Sequence, residues 1–287
     1  MPDTPSTLAR RMWRTLEPYH GLVYFTPRAA EAYAELGIEG QAGYFASRAA
    51  ALGPVPAEVV VATFYNFDPR VVHAAIPAAW HATSPGALVE ARRAATDAAL
   101  RQVLGDEVIA SDDMVAAAVA ARRAAGACTP EGRPLYAAHA ALPWPDEPHL
   151  VLWHAVTLLR EFRGDGHIAA LVGEGIDGCE SLVTHGAADS LVTLDGLRLT
   201  RGWSDAAWDA ARERLRARGW LDDGDALTPE GAAVRDRVER LTDERSMAPW
   251  RALGEDECAR LRRTVRPWSR AIVESGTFGR GIASQGA

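Results

Sequence analysis

The stretch 149–167 places three histidines and several charged residues inside an apolar helical pattern. Within it His154, Leu158 and Glu161 recur at i, i+4 and i+7, so they share one face of a helix. Histidine titrates near neutral pH, which makes His154 and His167 candidates for a general acid or base. With Glu161 they form the set of candidate catalytic residues, although no motif in the chain fixes a reaction.

Two interpretations of this stretch stay open. A histidine and a carboxylate are costly to bury unpaired, and Arg160, Arg163 and Asp165 are the nearest partners in sequence. In the functional interpretation, they line a polar cavity facing the N-terminal half, where Arg160 or Arg163 holds an anionic ligand. In the architectural one, an Arg–Glu–His network locks two domains together.

Aromatic residues of the N-terminal half could line the same pocket or belong to the core. Pairs of aromatic residues occur near residues 19–25 and 44–45, and Trp153 lies beside His154. The candidate ligand-binding residues are therefore His20, Tyr24, Tyr44, Trp153, His154, Arg160, Arg163 and His167.

The residue types exclude several cofactor classes and leave the cofactor unknown. The chain has no lysine, so Schiff-base chemistry, pyridoxal phosphate attachment and a Walker-type phosphate loop are excluded. His154, Glu161, Asp165 and His167 lack the spacing of known metal motifs, and no metal site is predicted. A haem bound non-covalently through one histidine stays open, because no Cys-x-x-Cys-His attachment motif is present.

Composition predicts a soluble, cytoplasmic protein of two domains. The chain has 287 residues, 48% of them hydrophobic, and only three cysteines. No apolar run approaches the length of a membrane span, so no membrane partner is expected. The net charge of -7 gives no general attraction for nucleic acid.

Three prolines in 142–148 predict a stiff connector. The predicted division is a helical domain 1–141, the connector 142–148, a second domain 149–263 and a loosely ordered tail 264–287.

Helix signals dominate the pattern along the chain. Two long alanine- and arginine-rich helices are predicted at 86–104, ending at Gly105, and at 111–127. A helix at 149–162 is expected to break at Gly164–Gly166, and loose alternation at 192–200 suggests a strand.

The segment 204–243 carries a recognisable order of elements. Ser204 caps a helix on which Trp208, Ala211 and Leu215 share one face. This helix is followed by Arg-Gly-Trp-Leu and by a predicted hairpin at Asp-Asp-Gly. The segment Leu-Thr-Pro-Glu-Gly then begins another helix. This order is similar to the recognition helix, wing and following helix of MarR-type winged-helix regulators. Over its length the chain also resembles an actinobacterial family of MarR-like helix-turn-helix proteins. The resemblance implies a mainly α protein with a C-terminal degenerate MarR-like winged helix carrying a small β-hairpin wing.

Two features depart from a DNA-binding winged helix. The hairpin offers Asp222, Asp223 and Asp225, which would repel phosphate. The segment before Ser204 is longer than the short turn of a helix-turn-helix, which predicts an insertion. DNA is thus a partner disfavoured by the wing. The candidate DNA-binding residues are the solvent-facing Arg212, Arg214, Arg216 and Arg218.

Three functions follow from these features. The leading expectation is a MarR-like protein that binds a small aromatic or anionic ligand between its two domains and regulates transcription. The alternative is a small-molecule enzyme of specialised metabolism that reuses the scaffold, with a His/Glu/Arg pocket. A third is a partner-binding module without a ligand, and a homodimer is left open.

Overall fold

The stretch singled out by the sequence lies in α10 (Pro148–Gly173), against which α1, α7, α8, α9 and α14 all pack. The computed structural model describes residues 5–188 and 194–278. Nine helices precede α10 in these residues: α1 (Pro5–Gly21), α2 (Pro27–Glu35), α3 (Gln41–Ala49), α4 (Ala57–Phe64), α5 (Pro69–Ala75), α6 (Ala78–Ala82), α7 (Pro85–Ile109), α8 (Asp112–Ala125) and α9 (Pro134–Ala140). Six follow it: α11 (Gly178–Ala187), α12 (Leu194–Arg201), α13 (Asp205–Ala217), α14 (Pro229–Arg245), α15 (Ala248–Leu253) and α16 (Glu255–Glu274). The expectation of a mainly helical protein is confirmed.

Helix starts follow the capping residues of the sequence. The hydroxyls of Ser84, Ser111, Ser204 and Thr228 each accept a hydrogen bond from a backbone N–H of the first turn that follows. Each bond satisfies one of the amide groups that a helix start leaves without a partner. The predicted break after the first long helix is also present, because Gly105 has φ 79°.

The predicted break at Gly164–Gly166 is wrong, since α10 continues through it to Gly173. Arg133 covers this side of α10, and its Nη1 would lie 2.8 Å from a Cβ at Gly166. Arg133 also donates to the carbonyl oxygens of Phe162 and Arg245. A glycine costs a helix only about 1 kcal/mol, so packing along α10 outweighs the two glycines.

The main hydrophobic core extends across the predicted connector. It contains buried residues from Ala9 in α1 to Ile272 in α16, including Leu152 and Val156 of α10. A smaller core joins α11, α12 and α13 through Leu182, Leu197 and Trp208. The division into domains at 142–148 stays a prediction, but residues on both sides of it bury side chains together.

The C-terminal segment is helical where a loosely ordered tail was expected. α16 runs through 264–274, with Trp268 and Ile272 buried against the main core. Its apolar residues recur at helical spacing and pack on α1 and α8. Residues 279–287 of the predicted tail lie outside the described residues.

Two predicted β elements are not present as strands in residues 5–188 and 194–278. Residues 194–200 belong to α12, whereas 192 and 193 lie outside the described residues. The predicted wing is a tight loop with one isolated antiparallel bridge between Leu221 and Leu227. Asp222 organises the loop by accepting from the backbone N–H groups of Gly224 and Ala226, each at 2.9 Å. Carboxylate capping closes the loop without a two-stranded ladder.

Within the described parts of the chain, no single helix is long and apolar enough to cross a membrane, although one bent pair, Gln41–Leu52 with Ala57–Phe64, passes by length and composition.

Gly178, the first residue of α11, lies against the backbone of the N-terminal half. A Cβ at this position would be 2.1 Å from the carbonyl oxygen of Tyr65, which is backbone and cannot rotate away. We expect Gly178→Ala to lower the free energy of unfolding by about 1–3 kcal/mol. The matched control is Gly173→Ala, where nothing lies within 4 Å of the new methyl and a change of about 0.5 kcal/mol or less is expected. Equal urea midpoints for both variants would contradict this packing.

Candidate functional site

Glu161 holds the central ion network of the protein. It is 1% exposed, and both of its oxygens accept from Arg48 of α3: Nε to Oε1 at 3.0 Å and Nη2 to Oε2 at 2.8 Å. Arg160 donates to Oε2 at 2.8 Å. Burial alone would raise the pKa of Glu161, but Arg160 and Arg48 outweigh it and hold that pKa well below its usual range. Glu161 is thus an ionised anchor with occupied oxygens.

Arg163 and His167 point away from Glu161, toward α14. Arg163 Nη1 donates to Asp243 Oδ1 at 2.8 Å, and His167 Nδ1 lies 2.9 Å from Thr242 Oγ1. The hydroxyl of Thr242 donates to a backbone carbonyl, so it accepts from His167. Asp165 faces α9 and accepts from the backbone N–H of Tyr136. The single network expected from the sequence is therefore divided among three sides of α10.

The space beside Arg160 and Arg163 is small. A crevice lined by these two residues, Trp13 and Glu17 has a volume of about 20 Å³. That is room for about one water molecule. These two arginines stabilise the junction of α1, α10 and α14 without enclosing a ligand-sized cavity.

Most of the other candidate ligand-binding residues lie together beside the Glu161 network, since Arg48 Nη1 donates to the Tyr44 hydroxyl at 3.1 Å. Tyr24 lies between His20 and Tyr44, with ring centroids 5.3 and 5.1 Å away. The Arg92 guanidinium lies over the rings of Tyr24 and Trp153, at 5.1 and 5.3 Å. The sequence correctly grouped these aromatic residues, and the structure adds an arginine from α7 to them.

Arg92 is 2% exposed and has no carboxylate partner. Its Nη2 donates to the Tyr24 hydroxyl at 2.9 Å, whereas Nε and Nη1 have no partner. Three other buried nitrogens without a partner belong to residues close to it: Nε1 of Trp153 and Nε2 of His139 and His154. The remaining unpaired nitrogens of the described residues are those of Arg10, His20, His149, Arg201, Trp208 and Arg245. This concentration of unsatisfied polar atoms around Arg92 is the most unusual feature of the interior, because buried polar groups are nearly always paired.

His20, His139 and His154 are buried as neutral imidazoles. Burial, followed by the charge of Arg92, lowers the pKa of His139 to about 3 and that of His154 to about 4. Burial also holds the pKa of His20 well below its usual value. Thr157 donates to the Trp153 carbonyl, so it accepts from His20 Nδ1, which leaves Nε2 of His20 as an unpaired acceptor. Residues 5–188 and 194–278 contain no group of three or more His, Cys, Asp or Glu placed to hold a metal ion.

Sequence reasoning missed Arg48, Arg92 and His139. The signal for Arg92 was present, because Leu88 and Ala99 lie on the same buried face of α7, at helical spacing. Its neighbour Arg93 is exposed and pairs with Glu90. Nothing in the sequence pairs Arg48 with Glu161, which are 113 positions apart.

Helices α12 and α13 are joined by a turn of three residues, 202–204, which is the connection length of a helix-turn-helix motif. Gly202 begins the turn with φ 76°, a conformation that favours glycine. The expected insertion before Ser204 is thus wrong over 194–203: its residues form the first helix of the motif and the turn. Trp208 and Leu215 of α13 are fully buried against α11 and α12.

The four candidate DNA-binding arginines are all paired within the protein. Arg212 and Arg216 form ion pairs with Asp225 of the loop. Arg214 and Arg218 form ion pairs with Glu180 of α11, at 2.8 and 3.3 Å. These arginines flank α13 on both sides and are partly exposed. The pairs with Asp225 are partly exposed and contribute only about 0–1 kcal/mol, so their partner can be exchanged. Glu180 is buried and depends on Arg214 and Arg218 as counter-charges, so only one of these two can leave it at low cost.

Removing the charge of Glu161 tests the central network. Glu161→Gln leaves Arg48 without a counter-charge and Arg160 with only Glu17, at 3.8 Å. We therefore expect a loss of about 3–5 kcal/mol in the free energy of unfolding at pH 7. Glu90→Gln is the matched control, because it breaks an exposed pair and should cost at most about 1 kcal/mol. Similar urea midpoints for the two variants would show that Glu161 is not an anchor.

Acid should destabilise the protein through its buried histidines. Because folding lowers the pKa of His139 from 6.5 to about 3, the unfolded chain binds a proton below pH 6.5 that the folded protein does not. The contribution of neutral His139 to the free energy of unfolding is therefore fully present above pH 6.5 and is lost as the pH falls. The loss amounts to about 2 kcal/mol at pH 5. His139→Asn should reduce the difference in unfolding free energy between pH 8 and 5 by that amount. The exposed His73→Asn should leave it unchanged; equal pH differences for the two variants would refute the assignment.

One comparison with known proteins found a family that matches this chain. A family described as a helix-turn-helix family matches residues 9–279, almost the whole chain. Comparisons with curated proteins and with solved structures found no significant match. The chain belongs to the helix-turn-helix family.

Proposed function

We propose that this protein is a ligand-responsive transcriptional regulator that contacts DNA through α12 and α13 and binds a small molecule beside α10. Membership of the helix-turn-helix family points to a protein of the DNA-binding regulator kind. The observation that carries the proposal is the pair α12 and α13, joined by three residues and stabilised by a small core of its own. In such motifs the second helix enters the major groove.

Local charge supports a role of this segment in DNA binding. The segment 198–218 has six arginines and three acidic residues, although the whole chain has a net charge of -7. Local basic excess attracts phosphate even in an acidic protein. Arg214 and Arg216 lie on different sides of α13 and could reach the two backbones that border a groove.

The MarR-like assignment belongs to the same proposal. The loop after α13 corresponds to a degenerate wing, in which Asp225 pairs with Arg212 and Arg216. If these arginines bound DNA phosphates instead, the loop would lose both ion pairs and would move. A cytoplasmic location and a homodimer, whose two motifs would read half-sites one DNA turn apart, complete this proposal.

Contacts between the motif and the interior support control by a ligand. Gln41 of α3 donates to the Thr200 carbonyl at 2.7 Å, and the Asp68 N–H donates to the Arg201 carbonyl at 2.9 Å. Trp203 in the turn donates to the Asn66 carbonyl at 3.0 Å. α3 also carries Tyr44 and Arg48, so a molecule that shifts α3 would shift the end of α12.

An enzyme is the second candidate, favoured by one observation. Asp205, Asp209 and Glu213 are exposed along α13 at i, i+4 and i+8, where a recognition helix would face DNA. These carboxylates would repel phosphate, and His154 is a neutral histidine with an unpaired nitrogen. Conversion of a metabolite by the purified protein, absent in His154→Asn, would favour this candidate.

DNA binding is tested by fluorescence anisotropy with duplexes from the region upstream of the gene, over a range of salt concentrations. We expect Arg214→Gln/Arg216→Gln to weaken binding about tenfold and to lower the slope of log affinity on log salt by about 2. The variant should fold, because Glu180 keeps Arg218 and Asp225 keeps Arg212.

Arg93→Gln/Arg101→Gln is the matched control, since both arginines are exposed and ion-paired on the distant α7. It should bind DNA as the wild type does. The regulator proposal fails if the wild type shows no salt-dependent binding, or if both double variants bind equally well.

A further inference from the structure

The interior beside α10 carries one positive charge that the protein does not balance. Arg48 and Glu161 neutralise each other, whereas Arg92, at 2% exposure, meets a tyrosine hydroxyl and two aromatic rings. An isolated charge is expensive to bury, and in most proteins an ion partner compensates it. The nearby histidines cannot balance this charge, because a histidine side chain is either neutral or positive.

Two nitrogens of Arg92 are buried donors without an acceptor. Its contacts with Tyr24 and Trp153 use the aromatic faces, while hydrogen bonds form in the plane of the guanidinium. In that plane Nε and Nη1 have no partner, and Trp153 Nε1 is a further buried donor without one. A carboxylate oxygen is the charge-assisted acceptor that such buried donors lack.

We infer that Arg92 is the anchor of a buried site for a small monocarboxylate. The inference rests on the proposed function, because it specifies the chemistry of the ligand that the regulator would bind. A monoanion balances the single charge of Arg92, whereas a phosphate dianion would leave an excess negative charge among neutral histidines. Trp153 provides the second donor, and Tyr24 positions the guanidinium through its hydroxyl.

The test uses the full chain without DNA, in a chloride-free buffer at pH 7, with formate, acetate, benzoate and inorganic phosphate as probes. At least one carboxylate should raise the melting temperature in a concentration-dependent way, and phosphate should raise it less. Arg92→Met should weaken carboxylate binding about 10- to 100-fold in calorimetric titration. Trp153→Phe, which keeps a ring but removes the donor, should weaken it several-fold.

Arg122→Met is the matched control. Arg122 also stacks on a tryptophan, with its Cζ 4.5 Å from the Trp144 ring, but it is exposed. This variant should bind carboxylates as the wild type does. Without ligand, Arg92→Met should melt at the same temperature as the wild type or higher, because it removes an unbalanced buried charge. A structural arginine would lower the melting temperature when replaced.

Two outcomes overturn the inference. In the first, none of the three carboxylates raises the wild-type melting temperature, so that only water contacts Arg92. In the second, Arg92→Met binds carboxylates as tightly as the wild type. Its failure differs from that of the proposed function. Carboxylate binding through Arg92 by a protein that does not bind DNA refutes the regulator and keeps the site. A metabolite that changes DNA affinity equally in wild type and Arg92→Met keeps the regulator and refutes the site.

Discussion

The ionised carboxylate of Glu161 in an apolar interior is the constraint on which much of the structure depends. Such a charge is stable only where opposite charges and hydrogen bonds replace water, and Arg48 and Arg160 supply both. Arg48 lies on α3, so satisfying Glu161 fixes α3 against α10. The same pairing leaves the nearby Arg92 with its charge unbalanced, and this connects the architecture of the interior with its capacity to bind an anion.

The helix-turn-helix is attached to the same interior. Hydrogen bonds from Gln41, Asp68 and Trp203 join α12 and its turn to the segment 41–68, which also contains Arg48. A shift of α3 therefore cannot leave α12 in place without breaking the bond from Gln41. Coupling between a ligand and DNA needs only a difference in ligand affinity between two positions of α12.

The charges of α13 explain how an acidic protein can carry a DNA-binding motif. Its arginines are paired with Glu180 and Asp225, and these ion pairs hold the arginine side chains in place when no DNA is bound. Because Asp225 is partly exposed, exchanging its carboxylate for a phosphate costs little. The buried Glu180 is held by two arginines, so one of them can turn to DNA while the other stays as its counter-charge. Exposed Asp205, Asp209 and Glu213 would then oppose binding to unrelated sequences, so that specific contacts decide affinity.

The sequence by itself determined the helical class, the capped starts of the helices and the chemical importance of α10, because capping and apolar periodicity are local properties. It also indicated α13, through its N-cap and buried stripe, and the aromatic residues around Tyr24. It could not determine that α10 continues through Gly164 and Gly166, that residues 194–200 are helical, or that Arg163 and His167 face α14. Those outcomes depend on contacts between distant segments. Only the tertiary structure brought Arg48 to Glu161 and left Arg92 without a partner, because the environment of a buried charge is set by helices that are far apart in the chain.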